Sequence, residues 1–177
     1  MPLRIFEPRY IDMVSECMKS DTPFGVLLIK DGSEEGHATT YDVGTLAKIS
    51  DFYQGSDGLL GVTAMGEQRF RLLSCERQDD GLNVAEVELI ESEAPLALPN
   101  EYRALPQILE NVMDELGRLY EQQLRNYDDA VWVTYRCMEI LPIDLEQKQL
   151  SLESSDTIAR LKLVHELLDS ARRPTNH

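Results

Sequence analysis

Side chains equipped for chemistry are few in this 177-residue chain, and their spacing does not bring them together. Histidine occurs at His37, His165 and His177 only, and neither a His pair nor a His–Cys pair has metal-ligand spacing. Cys17, Cys75 and Cys137 lie 58 and 62 residues apart without a CxxC, which suits neither a disulfide framework nor a zinc site. All three cysteines fall in apolar-periodic stretches and are expected as buried, inert thiols. Gly55, Ser56, Asp57 and Gly58 have the composition of a turn, and G-x-S-x-G is absent. No G-x-x-x-x-G-K-[ST] offers a phosphate cradle. The expectation is therefore no catalytic residue, no cofactor and no metal.

The elements behind these residues change period midway. Pro8 suits the first helical position, and Tyr10, Ile11, Val14, Cys17 and Met18 recur at helical spacing until Thr22-Pro23. Phe24 to Ile29 is an unbroken apolar run, expected as a strand covered on both faces. Asp31 to Asp42 reads as a surface loop. Thr45, Ala47 and Ile49 alternate with Leu46, Lys48 and Ser50 towards Phe52, a strand pattern. Leu60, Val62 and Ala64 predict the next strand, Gly66 a bend, and Arg69 to Leu72 a further strand. Asp79-Asp80-Gly81 predicts a hairpin turn into Val84, Glu86, Glu88 and Ile90. After Pro95 and Pro99 the steps become three and four. Leu105, Ile108, Leu109, Val112, Met113, Leu116, Leu119 and Tyr120 predict a long amphipathic helix with Leu105, Leu109 and Leu116 buried. Asp128-Asp129 caps a second helix ended by Leu141-Pro142, a shorter one carries Leu145, Leu150 and Leu152, and Ser155-Asp156 opens the last. The predicted organisation is a β subdomain over 1–94 and a helical bundle over 101–172.

Composition narrows the partners. A hydrophobic content of 42% excludes wholesale disorder. The net charge is −15, of which residues 1–94 carry −10, and a field of that sign repels phosphate backbones. No apolar run approaches membrane-spanning length and no signal-peptide core is present, so a soluble cytoplasmic protein without nucleic-acid or membrane partners is expected.

Four blocks recur in a telling order: Pro2-Leu3-Arg4-Ile5-Phe6-Glu7-Pro8-Arg9-Tyr10, Pro23 to Ile29, Val43 to Ile49, and Gly66-Glu67-Gln68-Arg69-Phe70-Arg71-Leu72-Leu73. Together they resemble the amino-terminal, substrate-binding domain of the Lon protease family, over most of residues 2–170, and in particular the small bacterial proteins made of that domain alone. The resemblance implies an α+β fold, a PUA-like antiparallel β-barrel followed by an α-helical bundle. It implies recognition of unfolded or tagged polypeptides, or an adaptor role beside a separate protease. The family's Walker loop and Ser–Lys dyad lie beyond this domain, so no enzyme activity is implied. A cereblon-type zinc pocket, built on CxxC pairs, is not implied either.

Within these blocks most residues read as structural. Phe6 and Tyr10 are expected to anchor the first helix in the core, beginning at Pro8, with Glu7 at its positive N-terminus and in reach of Arg69 or Arg71. Gly66 is expected to supply a bend and Arg69 to pair with an acidic residue, and Phe70 beside them reads as structural. Trp132 reads as core packing. Arg9, Asp12 and Glu16 form the candidate exposed stripe for docking a protein. The site implied for a polypeptide is an apolar groove between barrel and bundle or an exposed strand edge. A strand precedes the Pro2–Tyr10 block in the family, whereas Met1 adjoins Pro2 here. That leaves a start assigned too far downstream, a slot filled by a neighbouring chain or peptide, or a loop folded over the gap, and of these a homo-oligomer through the open edge is the expectation. The alternatives are an RNA-binding PUA-like module and a hydrolase with an unrecognised site.

Overall fold

A computed structural model describes residues 1–34, 36, 38–54, 58–117, 120 and 123–172. The loop residues Glu35 and His37, the Gly55–Ser56–Asp57 turn, Leu119 and His177 lie outside the described residues. The chain forms two units, Met1–Ser92 and Glu93–His177.

The first unit runs β1 (Pro2–Ile5), α1 (Pro8–Ser20), β2 (Phe24–Val26), β3 (Ile29–Gly32), β4 (Ala38–Thr40), β5 (Val43–Gln54), β6 (Leu60–Arg77) and β7 (Asn83–Leu89). Its main sheet is antiparallel with the order β1-β6-β5-β2, and β7 also pairs with β6. Because β5 lines β6 from Leu60 to Arg71, β1 along Leu60–Thr63 and β7 along Phe70–Arg77 share the opposite side of β6. The α+β class and the antiparallel pairing are as expected, but the sheet is open: no closed barrel forms among the described residues.

Several local expectations change. The Phe24–Ile29 run is not one doubly covered strand. Phe24–Val26 joins the main sheet half-buried, while Ile29 starts an exposed hairpin of β3 with β4 that occupies part of the supposed loop. Gly66 does not break the chain, since β6 passes through it as one strand of 18 residues. The irregularity sits in pairing instead: Ala47 faces Gly66 while Thr45 faces Arg69, so β6 carries an extra residue there, a β-bulge. Gly66 has no left-handed backbone, and its small size is used against the Thr45 methyl, 3.2 Å from an added Cβ.

Close approach explains a different glycine. Gly44 is buried, and a Cβ there would lie 2.4 Å from the Val26 carbonyl oxygen and 2.7 Å from the ring of Phe70. Phe70, only 1% exposed, thus fills the space that Gly25 and Gly44 leave between β2 and β5. On the sheet's β1 side a second apolar cluster joins Ile5, Val14 and Val62 to Leu3, Tyr10, Met13, Ile49 and Leu60, holding α1 down.

The second unit holds a 3-10 turn (Asn100–Tyr102), then α2 (Leu105–Leu116), α3 (Ala130–Ile140), α4 (Leu145–Glu153) and α5 (Thr157–Arg172). The α2 helix stops earlier than its apolar periodicity predicts, at Gly117 with φ 52, leaving Leu116 41% exposed rather than buried. Leu105 and Leu109 are buried as expected. Side-chain carboxylates cap α3, α4 and α5: Asp129 accepts from the Val131 amide at 3.0 Å, Asp144 from Gln147 at 2.8 Å and Asp156 from Ala159 at 2.9 Å. Met113, Val133, Leu161 and Val164 form the fully buried centre, against which Trp132 packs, edge-on to Tyr127. The α4 helix turns Leu145 and Leu150 outside and Gln149 and Ser151 inside. No helix among the described residues is long and apolar enough to cross a membrane.

Candidate functional site

The proposed docking stripe on α1 loses its first member. Arg9 is 7% exposed, with its guanidinium Nε donating to Glu7 Oε2 at 2.8 Å and Nη1 donating to the Gly81 carbonyl at 2.5 Å, over the Tyr10 ring. Gly81 sits at φ 85 in the β6–β7 turn, so Arg9 ties the start of α1 to that hairpin. Glu7 therefore pairs with Arg9, not with Arg69 or Arg71, and makes no side-chain cap on α1. Arg69 is buried on β6. Replacing Arg9 by Ala removes two charge-assisted hydrogen bonds and is expected to destabilise the first unit by about 2–3 kcal/mol. Faster amide exchange across the Asp79–Gly81 turn is the check on where that loss falls.

The exchange of positions extends to aromatics. Phe6, expected in the core, is 60% exposed, while Tyr10 is half-buried as a core contact. Ile11 and Met18, one face of α1, are 42% and 48% exposed beside exposed Asp12 and Glu16. The outer surface of α1 is thus apolar and acidic in parallel stripes. Leaving Phe6 in water while burying Arg9 follows from partners. Two of the Arg9 N–H groups donate, to the Glu7 carboxylate and the Gly81 carbonyl, and the guanidinium lies over the Tyr10 ring.

A second outward surface lies on the β6–β7 hairpin. Leu73, Val84 and Leu89 are 57%, 47% and 53% exposed, and Glu86 and Glu88 project from β7 into water. Cys75 is exposed here, against the expectation of a buried thiol, and Cys17 is half-buried. Only Cys137 fits that expectation, and its burial pushes the thiol up to about 12. His165 is half-exposed on α5, 3.4 Å from Asp169 and edge-on to Tyr102, with no nucleophile beside it in these contacts.

The densest polar cluster belongs to the second unit. Arg160 on α5 is 2% exposed; its Nη2 meets Glu93 Oε2 at 2.8 Å, its Nε the Thr134 hydroxyl at 3.2 Å, and its Nη1 the Ser154 carbonyl at 2.8 Å. The guanidinium also lies 4.0 Å over the Tyr135 ring. Glu93 accepts further hydrogen bonds from the Thr157 and Tyr135 hydroxyls. A readable signal existed: Thr157, Arg160, Leu161 and Val164 follow the buried stripe of α5, so an arginine stands where an apolar residue is due. What hid its role is the partner, 67 positions away.

Burial alone would raise the Glu93 carboxyl above its ordinary value, but the hydrogen bonds from Arg160, Thr157 and Tyr135 outweigh it and hold it below. A folded-state value lower than the unfolded one gives stability that is present above the unfolded value and lost as pH falls through the folded one. The second unit should therefore hold steady from neutrality to about pH 5 and weaken below about pH 4. Trp132 fluorescence followed during urea unfolding at stepped pH measures this, and Glu93→Gln should flatten the profile.

These surfaces show no nucleophile with a base among the described residues. Among the described residues no three His, Cys, Asp or Glu side chains gather where a metal ion could be held. The comparison with known proteins decides the identity. Residues 1–170 match the sequence profile described as the ATP-dependent protease La (LON) substrate-binding domain. This chain belongs to the Lon substrate-binding domain family. The Lon-type fold is shared with the crystal structure of a Lon N-terminal domain protein from Xanthomonas campestris. That protein is 32% identical with a TM-score of 0.74, over 98% of this chain and 89% of that one. The N-terminal domain of the Mycobacterium avium complex Lon protease has the same fold at 15% identity and a TM-score of 0.60, covering 96% of this chain and 89% of its own. Lon protease 2 of Myxococcus xanthus is 24% identical over 180 residues, 97% of this chain but 22% of the protease. Cereblon of Xenopus tropicalis is 33% identical over 94 residues, 51% of this chain and 20% of cereblon. This Lon-type chain thus spans about a fifth of the length of those curated relatives. Its four signature blocks fall on β1 with α1, β2 with β3, β5, and the bulged middle of β6.

Proposed function

We propose that this chain recognises polypeptides without acting on them chemically, binding unfolded or tagged segments directly or as an adaptor beside a separate protease in the cytoplasm. The observation that carries the reading is the match of residues 1–170 to a substrate-binding domain. Exposed apolar side chains on α1 and on the β6–β7 hairpin support it, because an unfolded chain differs from a folded one chiefly in its accessible apolar and backbone groups. The net charge of −15 favours basic polypeptides over nucleic acid. Fluorescence anisotropy with labelled ribonuclease A tests it: the reduced, carbamidomethylated and permanently unfolded form should bind, and the native form, of similar charge, should not. Binding of a labelled RNA in preference to both would replace this reading by an RNA-binding one.

A further inference from the structure

The β7 strand ends the sheet on its side: among the described residues it pairs with β6 and no other strand. Its register fixes what it presents. Leu82 accepts from the Gln78 amide at one end and Ile90 donates to the Arg69 carbonyl at the other. In an antiparallel ladder bonded and non-bonded positions alternate, so the N–H and C=O groups of Ala85, Val87 and Leu89 face away from β6. Side chains alternate as well. Ala85, Val87 and Leu89 share one face, which is apolar and largely open, and Glu86 and Glu88 share the other, exposed to water.

Edge strands are commonly protected by proline or lysine, and β7 has neither. Its charges are of one sign. A second copy pairing antiparallel here would set glutamates against glutamates in a molecule already at −15, which opposes self-pairing. A strand with lysine or arginine at alternate positions places cations opposite Glu86 and Glu88 and apolar side chains beside Val87 and Leu89.

We propose that the outer edge of β7 is the pairing site for an extended polypeptide segment in which apolar residues alternate with Lys or Arg. The proposal rests on the polypeptide-recognition reading and adds the place and the sequence class. Backbone pairing supplies affinity without regard to sequence, and the two glutamates select charge.

The probe is a short labelled peptide alternating Lys with Val, titrated into the full chain by anisotropy, with a Glu–Val peptide as its counterpart. The expected result is binding of the Lys–Val peptide that weakens with salt. The charge-reversed variant E86K/E88K, altered only at exposed positions, should lose roughly tenfold in affinity for it and gain the Glu–Val peptide. Val87→Pro removes an outward N–H while sparing the β6 ladder, and should weaken both. Charge reversal without effect on either peptide overturns the proposal. So does a wild-type protein that binds unfolded ribonuclease A but not the Lys–Val peptide, an outcome that leaves the recognition reading intact. A protein that binds neither overturns both. A dimer of the free chain that Val87→Pro abolishes shows that a second copy occupies the edge, and also overturns it.

Discussion

Arg160→Met is expected to lower the stability of the helical unit by about 3–5 kcal/mol, because it leaves a buried carboxylate without its cation. Glu93 is 9% exposed at its side chain and would keep the Thr157 and Tyr135 hydroxyls as donors but lose the guanidinium. Methionine has nearly the volume of the lost side chain, so the effect isolates charge and hydrogen bonding from cavity formation. Glu93→Gln should also destabilise, by stranding the guanidinium. Combining it with Arg160→Met should cost less than the two single losses added, since the pair's desolvation disappears with it. Trp132 is the only tryptophan and packs in this unit, so its fluorescence in urea reports the unit directly. A loss below about 1 kcal/mol for Arg160→Met would mean that the ion pair is not what holds residue 93 against α5.

Phe70→Ala is the corresponding test in the first unit and is expected to cost about 3–5 kcal/mol. The ring fills the space over Gly25 and Gly44, and the Val26 carbonyl restrains β2 from closing in on the hole. A cavity that cannot collapse carries the full penalty. Because no tryptophan lies in this unit, amide exchange of β5 and β6 is the suitable measure. Exchange accelerated across both strands, with Trp132 unfolding unchanged, is the expected pattern. Both signals shifting together would instead mean that the two units unfold as one.

These two sites show what a sequence discloses and what it conceals. Phe70 was legible only as structural. The start of α1 at Pro8, the cap at Asp129, the stop at Leu141-Pro142 and the turn at Gly81 were legible in place, because each rests on a residue whose backbone or capping preference acts locally. Strand continuity was harder. Gly66 looks like a breaker in isolation, and only pairing with Thr45 and Ala47 on β5 shows a bulge within one long strand. Burial of charge was least legible. Arg9 and Arg160 were hidden by partners 72 and 67 residues away, Gly81 and Glu93, and no periodicity encodes such distances. The exposed Phe6, Leu145 and Leu150 are the converse, apolar residues whose helical or flanking positions face out once others take the core. The candidate surface was therefore half-read: Asp12 and Glu16 stay outside as expected, Arg9 does not, and the hairpin edge passed as an ordinary pair of strands.

Recognition without chemistry is most directly tested by titrating the intact chain calorimetrically with permanently unfolded ribonuclease A, then recording the masses of both proteins after prolonged incubation with and without ATP. A saturable heat of binding with both masses unchanged is the expected result. No binding heat, or ribonuclease fragments that appear with the chain and are absent without it, would contradict the account.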